Sequence, residues 1–152
     1  MFRGHETTRA DAKGRLKVPS VFRAPLEAKY GRELFVTSVT GEFVRIYPMP
    51  IWAEVEERLA KMAIGQPARG RFLDRVNYFG QVAEIDAQGR VLIPARLRET
   101  ASISGDIDVL GQVTYLDAWN HDRLWSRLQR EPFTDDSVKH VSVYAAASAG
   151  PR

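Results

Sequence analysis

The chain has 152 residues, of which 44% are hydrophobic and 27% are charged, a composition typical of globular proteins and unlike that of disordered ones. It contains no cysteine, which excludes disulfides, thiolate catalysis and cysteine-ligated zinc. No apolar run approaches the roughly 20 residues that span a bilayer, and the opening MFRGHETTRAD lacks the apolar core of a secretory signal. We therefore expect a cytoplasmic protein with no membrane partner.

The first half of the chain predicts two strands, a helix, two more strands and a second helix. In order, these are strands over 5–10 and 15–18, a helix over 20–30, strands over 34–39 and 43–47, and a helix over 50–64. Pro19 and Pro50 suit the first turns of the two helices. Alternating apolar residues indicate the strands, and apolar residues at helical spacing indicate the second helix.

The second half repeats this order after an additional segment. The predicted elements are a linker helix within 65–79, strands over 81–86 and 90–93, a helix over 95–101, strands over 107–111 and 114–119, and a helix over 120–130. We therefore expect a first repeat at 1–64, a linker helix at 65–79, a second repeat at 80–130 and a partly disordered C-terminal tail at 131–152.

One motif marks the duplication most clearly. DAKGRLKVP at 11–19 and DAQGRVLIP at 86–94 share Asp-Ala-x-Gly-Arg, two aliphatic positions and a proline. The first residues of each copy form the connection between two predicted strands. Gly14 and Gly89 permit the positive φ that a tight turn requires, and the side chains of Asp11 and Asp86 can accept hydrogen bonds from backbone amides of the turn.

Positive charge is concentrated around the two copies of this motif. Residues 1–23 carry six basic and two acidic side chains, residues 67–98 carry six and three, and residues 99–152 carry five and eight. Arginine supplies most of the cations, and its planar guanidinium suits phosphate and guanine. A solvated surface would explain one such cluster, but two clusters at equivalent places indicate a polyanionic partner.

Several motifs together resemble one known family. They are the opening MFRG, the pair DAKGR and DAQGR, VPxxFR at 18–23, IPxxLR at 93–98, YPxxxW at 47–52 and LDAW at 116–119. In this order they look like the MraZ family, bacterial transcriptional regulators with two tandem SpoVT/AbrB-like domains. The resemblance covers about residues 1–130. It implies an α+β fold with a mainly β core: two pseudo-twofold swapped-hairpin β-barrel repeats with peripheral helices.

The resemblance also implies partners. Members of this family form homo-oligomeric rings and bind double-stranded DNA at short direct repeats. These repeats lie upstream of the division and cell-wall gene cluster that contains the regulator's own gene. The resemblance thus implies a cytoplasmic, nucleoid-associated regulator.

The residues themselves suggest how such a protein would contact DNA. A basic hairpin tip can enter the major groove, and Arg15 is our strongest candidate for a base-edge contact. Lys13, Arg9 and Arg3 more plausibly meet phosphates. Arg90 ranks below Arg15 because Gln88 replaces the lysine of the first copy. Arg90 has a structural alternative, which is to pair with an aspartate across the pseudo-twofold.

Structural interpretations compete with several of these assignments. Asp11, Gly14, Asp86 and Gly89 are expected to serve the turns, and Asp11 could also hold an arginine in one rotamer. Arg23 and Arg98 could pair with Glu27 and Glu99 or their neighbours. The three tryptophans, Trp52, Trp119 and Trp125, are expected in the core or at a subunit interface. The three histidines, His5, His121 and His140, are scattered along the sequence, so we expect no metal site.

A catalytic function is not indicated. The chain lacks the nucleophile elbow, the Walker loop, the HExxH motif and the dinucleotide fingerprint. We therefore expect no enzyme activity, no cofactor and no small-molecule substrate. The alternative to a DNA-binding regulator is an oligomeric AbrB-fold module that binds another protein, as antitoxins do, with non-specific nucleic-acid binding. Such a module has no need of Lys13 and Arg15 beside Arg3 and Arg9.

Overall fold

The computed structural model describes residues 1–141. The chain divides into two compact units, Met1–His121 and Asp122–Arg152. Residues 142–152, which belong to the predicted C-terminal tail, lie outside the described residues. Within the described part, no helix has both the length and the apolar character required to cross a membrane.

The elements of the first half follow the predicted order. They are β1 (His5–Arg9), β2 (Arg15–Lys17), α1 (Ser20–Tyr30), β3 (Glu33–Thr37), β4 (Val44–Pro48) and α2 (Met49–Lys61). Prolines mark the helix starts because their fixed φ suits the first turn and their missing N–H costs nothing there. Pro19 precedes α1, and α2 has Pro50 in its first turn.

The second half has the same sequence of strands and helices after a linking helix. The elements are α3 (Pro67–Tyr78), β5 (Gln81–Glu84), β6 (Arg90–Leu92), α4 (Ala95–Thr100), β7 (Asp106–Gly111), β8 (Leu116–Asn120), α5 (His121–Arg130) and α6 (Asp135–Lys139). The predicted α+β class with a mainly β core is confirmed. The helix within 65–79 is also present.

Six strands form one antiparallel sheet in the order β1-β7-β8-β4-β3-β5. Exchanging each strand for the corresponding strand of the other half gives the same order read from the opposite edge of the sheet. The first strand of each half joins the opposite half, since β1 pairs with β7 and β5 pairs with β3. The two halves therefore share one sheet and depend on each other for their strand pairing.

The remaining strands, β2 and β6, pair with each other in a separate two-stranded sheet. Leu16 lies opposite Val91 at its centre, and both are fully buried. Between β1 and β2 only an isolated bridge, Ala10 to Leu16, is formed. Within residues 1–141 the sheets consequently do not close into a hydrogen-bonded barrel, which differs from the expected architecture. The reason is that β2 and β6 pair across the two halves instead of continuing the pairing of β1 and β5.

The main core lies between the six-stranded sheet, the β2–β6 pair and the two helices that follow it. Its fully or almost fully buried side chains include Leu16, Val18, Phe22, Leu26, Leu34, Ile46, Val91, Ile93, Leu97, Ile107 and Leu116. Apolar residues on both sides of each Asp-Ala-x-Gly-Arg motif thus enter the core. This burial fixes the ends of both loops.

A second apolar cluster covers the other side of β3 and β4. Trp52 of α2 stacks on Phe35 at a centroid distance of 4.5 Å and also contacts Tyr47. Val76 of α3 completes the cluster, and the Val76 carbonyl accepts a 2.6 Å hydrogen bond from Thr37. Trp52 is 4% exposed. It was expected either in the core or at a subunit interface, and it lies in the core of its own chain.

The second unit contains most of α5 and the short helix α6. Trp125 and Leu128 of α5 are more than half exposed. Thr134 and Ser137 form a reciprocal capping box that starts α6, because each side chain accepts a hydrogen bond from the other residue's backbone N–H. This short helix lies within 131–152, for which the sequence predicts a partly disordered tail and no helix.

Candidate nucleic-acid interface

The first loop, residues 10–14, connects β1 to β2 and is organised by one carboxylate. Asp11 Oδ1 accepts hydrogen bonds from the backbone N–H groups of Lys13 at 3.0 Å and Arg15 at 2.9 Å. Gly14 has φ +84° and donates its N–H to the Asp11 carbonyl. The predicted turn roles of Asp11 and Gly14 agree with this geometry.

The same carboxylate orients Arg15. Asp11 Oδ2 accepts a 2.8 Å hydrogen bond from the Nε of Arg15. The Arg15 backbone bond, joined by its side-chain bond, holds the pKa of Asp11 below its usual value, so the carboxylate stays charged. The Arg15 side chain is one-third exposed, and among residues 1–141 its two η nitrogens have no hydrogen-bond partner. Arg15 thus presents a planar pair of donors from a fixed rotamer.

The second loop, residues 85–89, repeats this arrangement. Asp86 Oδ1 accepts from the backbone N–H groups of Gln88 and Arg90, and Asp86 Oδ2 accepts from Arg90 Nε at 3.0 Å. Gly89 has φ +80°. The pKa of Asp86 is lowered for the same reason, mainly by the backbone hydrogen bond from Arg90.

The two arginines nevertheless differ in their surroundings. Arg90 Nη1 lies 3.7 Å from Oδ2 of Asp11, the carboxylate of the other loop. Arg90 therefore approaches two aspartates, whereas Arg15 pairs with one. This contact agrees with the structural alternative for Arg90, a pairing across the pseudo-twofold. It leaves Arg15 with the less compensated charge.

Each loop is also held by the opposite half of the chain. The carbonyl of Gly14 accepts a hydrogen bond from the N–H of Ile93, and the carbonyl of Gly89 accepts one from Val18. Ile93 and Val18 are buried, at 0% and 2% exposure. Each loop is therefore held in part by the other copy of the motif.

The other residues predicted to contact phosphates lie at different distances from the first loop. Lys13 is exposed near the tip of the first loop. Arg9, two residues before Asp11, donates a 2.7 Å hydrogen bond to Asp106, and both side chains are largely exposed. Arg3 is exposed beside Phe2, which bridges to Val113. Arg3 therefore lies at the opposite end of β1 from Asp11, about 26 Å away at ~3.3 Å per residue, and does not join the loop cluster.

Two further arginines lie against the loops, a role that the sequence pattern did not predict. Arg98 of α4 packs its guanidinium against Gly14, and Arg23 of α1 packs against Gly89, where a Cβ would lie 2.9 Å from the Arg23 side chain. Arg23 also pairs with Glu27 at 3.2 Å, as one interpretation predicted. Within the described part of the chain, Arg98 forms no ion pair with Glu99. The repeat itself could have indicated this role, because Arg23 follows Gly14 at the same spacing as Arg98 follows Gly89.

The histidines are less scattered than the sequence indicates. His5 Nε2 lies 2.8 Å and His121 Nδ1 2.7 Å from the two carboxylate oxygens of Asp108, which is buried. These contacts tie β1 and the start of α5 to β7. No cluster of metal-ligating side chains suited to a metal ion occurs among residues 1–141.

The sequence of the whole chain was compared with known protein families. A family model described as "MraZ protein, putative antitoxin-like" matches residues 1–75 and 81–142. The chain belongs to the MraZ family.

Individual members of the MraZ family match over nearly the whole chain. "Transcriptional regulator MraZ" of Acidobacterium capsulatum is 46% identical over 144 residues, covering 95% of this chain and 99% of the relative. The protein of the same name from Koribacter versatilis is 44% identical over 143 residues, covering 93% and 97%. That of Herpetosiphon aurantiacus is 32% identical over 148 residues. Membership of the MraZ family supports a DNA-binding transcriptional regulator in general terms.

Proposed function

We propose that the protein is a sequence-specific transcriptional regulator that reads DNA with its first loop. The observation that carries this proposal is the fixed orientation of the Arg15 side chain, with its two η nitrogens unbonded within residues 1–141. Asp11 fixes the Arg15 side chain through Nε at 2.8 Å while both η nitrogens stay available. An arginine oriented in this way is suited to donate two hydrogen bonds to O6 and N7 of guanine.

Fixing the rotamer beforehand matters for affinity. A free arginine side chain loses about 2 kcal/mol of rotamer entropy when it is immobilised, and the Asp11 contact removes part of this cost before DNA arrives. A bidentate arginine–guanine contact contributes about 1–3 kcal/mol of discrimination. Asp11 is therefore a positioning residue for Arg15 and not itself a DNA ligand, since a carboxylate and a phosphate repel each other.

The surrounding cations supply contacts that do not depend on sequence. We propose that Lys13 at the loop tip and Arg9 at the end of β1 meet phosphates of the DNA backbone. Arg9 would exchange Asp106 for a phosphate at little cost, because exposed ion pairs contribute roughly 0–1 kcal/mol. Arg90 is a weaker candidate, and Arg3 would meet phosphates apart from the loop.

Repetition of contacts strengthens the binding. We propose that the chain has a first repeat (1–64), a linker helix (65–79), a second repeat (80–130) and a tail, in an AbrB-like swapped-hairpin arrangement, and that copies assemble into a ring. A ring would engage several short direct repeats at once. Linking such contacts raises avidity by about 10²–10⁴. We place the target upstream of the protein's own gene, within a division and cell-wall cluster, and the protein in the cytoplasm at the nucleoid.

A second candidate is an antitoxin-like module that binds another protein and only non-specific nucleic acid. It is favoured by the description of the matching family as antitoxin-like. The two candidates differ in what Arg15 does. A protein-binding module would bind all duplexes alike, whereas a regulator would distinguish its operator.

Fluorescence anisotropy with two duplexes of equal length tests the proposal. One carries the DNA upstream of the protein's own gene and the other a shuffled sequence. We expect the wild-type protein to bind the first much more tightly, Arg15→Ala to lose this preference, and Arg90→Ala to keep most of it. Equal binding of both duplexes by the wild-type protein would favour the antitoxin-like module.

A further inference from the structure

Two arginines at equivalent places in the two halves support each other's loops. Arg23 of α1 lies against Gly89 in the second loop, and Arg98 of α4 lies against Gly14 in the first. The chain uses an arginine at both places although an apolar side chain would fill the same space. The two arginines differ in whether a nearby carboxylate compensates the charge of the guanidinium group.

The charge of Arg23 has a counter-charge within the protein. Its Nε donates to Glu27 at 3.2 Å, and one η nitrogen donates to the carbonyl of Ala87 in the second loop at 3.0 Å. Glu27 is a carboxylate one helical turn further along α1. Arg23 therefore closes the second loop as a compensated, hydrogen-bonded side chain.

The charge of Arg98 has no such compensation. Among residues 1–141, the side chain of Arg98 forms neither an ion pair nor a hydrogen bond, and its Nε is buried without a partner. Four residues after Arg98, where Glu27 stands relative to Arg23, the chain has Ser102. A guanidinium whose Nε is buried without an acceptor is costly to retain. Arg98 also lines an open cavity, so an anion from outside the chain can compensate its charge through the η nitrogens, although not through the buried Nε.

An open cavity of about 590 Å³ lies at this place. It is bordered by Asp11 and Ala12 of the first loop, by Arg98 and Glu99 of α4, and by Ser102 and Ser104 after the helix. The Asp11 carboxylate is already bound to Arg15 and near Arg90, and Glu99 is exposed. Among the residues that line the cavity, Arg98 is the cation, and its side chain has no partner within the described part of the chain.

We propose that this cavity binds a phosphate of the DNA backbone, with Arg98 as its principal ligand. The inference rests on the proposed DNA-binding function and adds a site to it. It also explains why the two loops are unequal. The first loop combines Arg15, Lys13 and the uncompensated Arg98, whereas the second has Gln88 and an Arg23 that Glu27 neutralises. A phosphate held beside Gly14 would fix the duplex in register while Arg15 reads the bases.

The salt dependence of binding tests the site, with Arg23 as the matched control. The slope of log K against log salt is measured for wild type, Arg98→Leu and Arg23→Leu, on the operator and on a shuffled duplex. Loss of one phosphate contact lowers the slope by about 0.9. We expect this decrease for Arg98→Leu on both duplexes and none for Arg23→Leu. An unchanged slope for Arg98→Leu, or an equal decrease for Arg23→Leu, would overturn the proposal.

A second pair of variants keeps the test valid should Arg98→Leu fail to fold. Ser104 is exposed at the edge of the cavity, so Ser104→Asp adds a negative charge there and Ser104→Asn adds nearly the same shape without charge. We expect Ser104→Asp alone to weaken binding to both duplexes. Equal binding by the two variants would contradict a phosphate in the cavity.

Two further outcomes distinguish a DNA phosphate site from a free-anion site and from a protein that binds no DNA. If inorganic phosphate raises the melting temperature through Arg98 while the DNA slope stays at its wild-type value, the cavity binds a free anion and the assignment to DNA is overturned. If the wild-type protein binds no duplex at all, the proposed function fails. Specific DNA binding by the wild type with an unchanged Arg98→Leu slope refutes only the additional site.

Discussion

Arg45 of β4 lies directly opposite Asp117 of β8, and its Nε donates a 2.8 Å hydrogen bond to the carboxylate. This pair stands at the centre of the contact between the corresponding strands of the two halves. In a dimer of identical half-chains, two like charges would face each other at this position. Duplication within one chain lets the facing residues carry opposite charges and form a largely buried ion pair.

Breaking this pair should destabilise the fold. Asp117 is 3% exposed, so Asp117→Asn leaves Arg45 without a full counter-charge and should lower the free energy of unfolding by about 3–5 kcal/mol. Arg45→Met should cost a similar amount, and the double variant less than the sum. Urea denaturation measures all three. Additive losses would show that the two side chains act independently.

Gly14→Ala should cost more than Gly4→Ala. Both glycines have positive φ, at +84° and +89°, so each alanine introduces backbone strain of about 1–2 kcal/mol. Only at Gly14 would the new Cβ overlap the guanidinium of Arg98, because nothing lies within 4 Å of the Gly4 position. Thermal denaturation should show the larger loss for Gly14→Ala, and adding Arg98→Ala should remove the excess. Equal losses would contradict the packing of Arg98 on the loop.

Lys13→Ala should weaken DNA binding by the same factor on all sequences. A lysine that meets one phosphate contributes about 0.9 to the slope of log K against log salt. We expect the slope to fall by this amount on operator and shuffled duplexes, with the melting temperature unchanged. Lys61→Ala, at the end of α2, serves as the control and should leave the slope unaltered. A loss of affinity for the operator alone would instead indicate that Lys13 contacts base edges.

Stability should decline in acid through Asp108. Burial alone would raise the pKa of Asp108, but the hydrogen bonds from His5 and His121 outweigh it and hold the pKa below its usual value. An unfolded aspartate has a pKa of about 3.9, so this contribution is complete above that pH. It is lost as the pH falls through the lower folded value. Urea denaturation from pH 6 to 3 should show the difference between wild type and Asp108→Asn shrinking with acidity; a constant difference would refute it.

Trp125→Ala should reduce the assembly and leave the monomer folded. Trp125 and Leu128 of α5 are 58% and 56% exposed, which is unusual for such large apolar side chains and typical of a contact surface. Multi-angle light scattering should give a smaller mass for the variant than for the wild type. Trp52→Ala is the contrasting variant, because its buried side chain should affect stability instead. A monomeric wild-type protein would refute the assembly proposal.

The order of the elements could be predicted from the sequence because each depends on local patterns. Apolar periodicity and the positions of Pro19 and Pro50 predicted α1 and α2. The turn roles of Asp11 and Gly14 also agree with the structure, since the hydrogen bonds that define a turn join residues close in sequence. The short helix Asp135–Lys139 was missed, because its capping residues Thr134 and Ser137 carry a weak signal beside a polar segment.

The contacts between the two halves could not be predicted in this way. The approach of Arg90 to Asp11, which the sequence offered only as one of two alternatives, the packing of Arg98 on Gly14 and the bond of His5 to Asp108 all join residues of different halves. The position of Arg3 away from the first loop also follows from the path of β1. Each depends on the pairing of β1 with β7 and of β2 with β6.

The sequence by itself determined that one basic turn occurs twice, which residues form it and where the surrounding strands and helices lie. These properties follow from backbone preferences and hydrogen bonds within a few residues. The replacement of Lys13 by Gln88 already makes the two turns unequal in charge, but only the tertiary structure decided how their arginines are paired. Equivalent arginines acquire different partners once the halves exchange strands, because the charge left on each guanidinium depends on carboxylates and carbonyls brought to it by the other half.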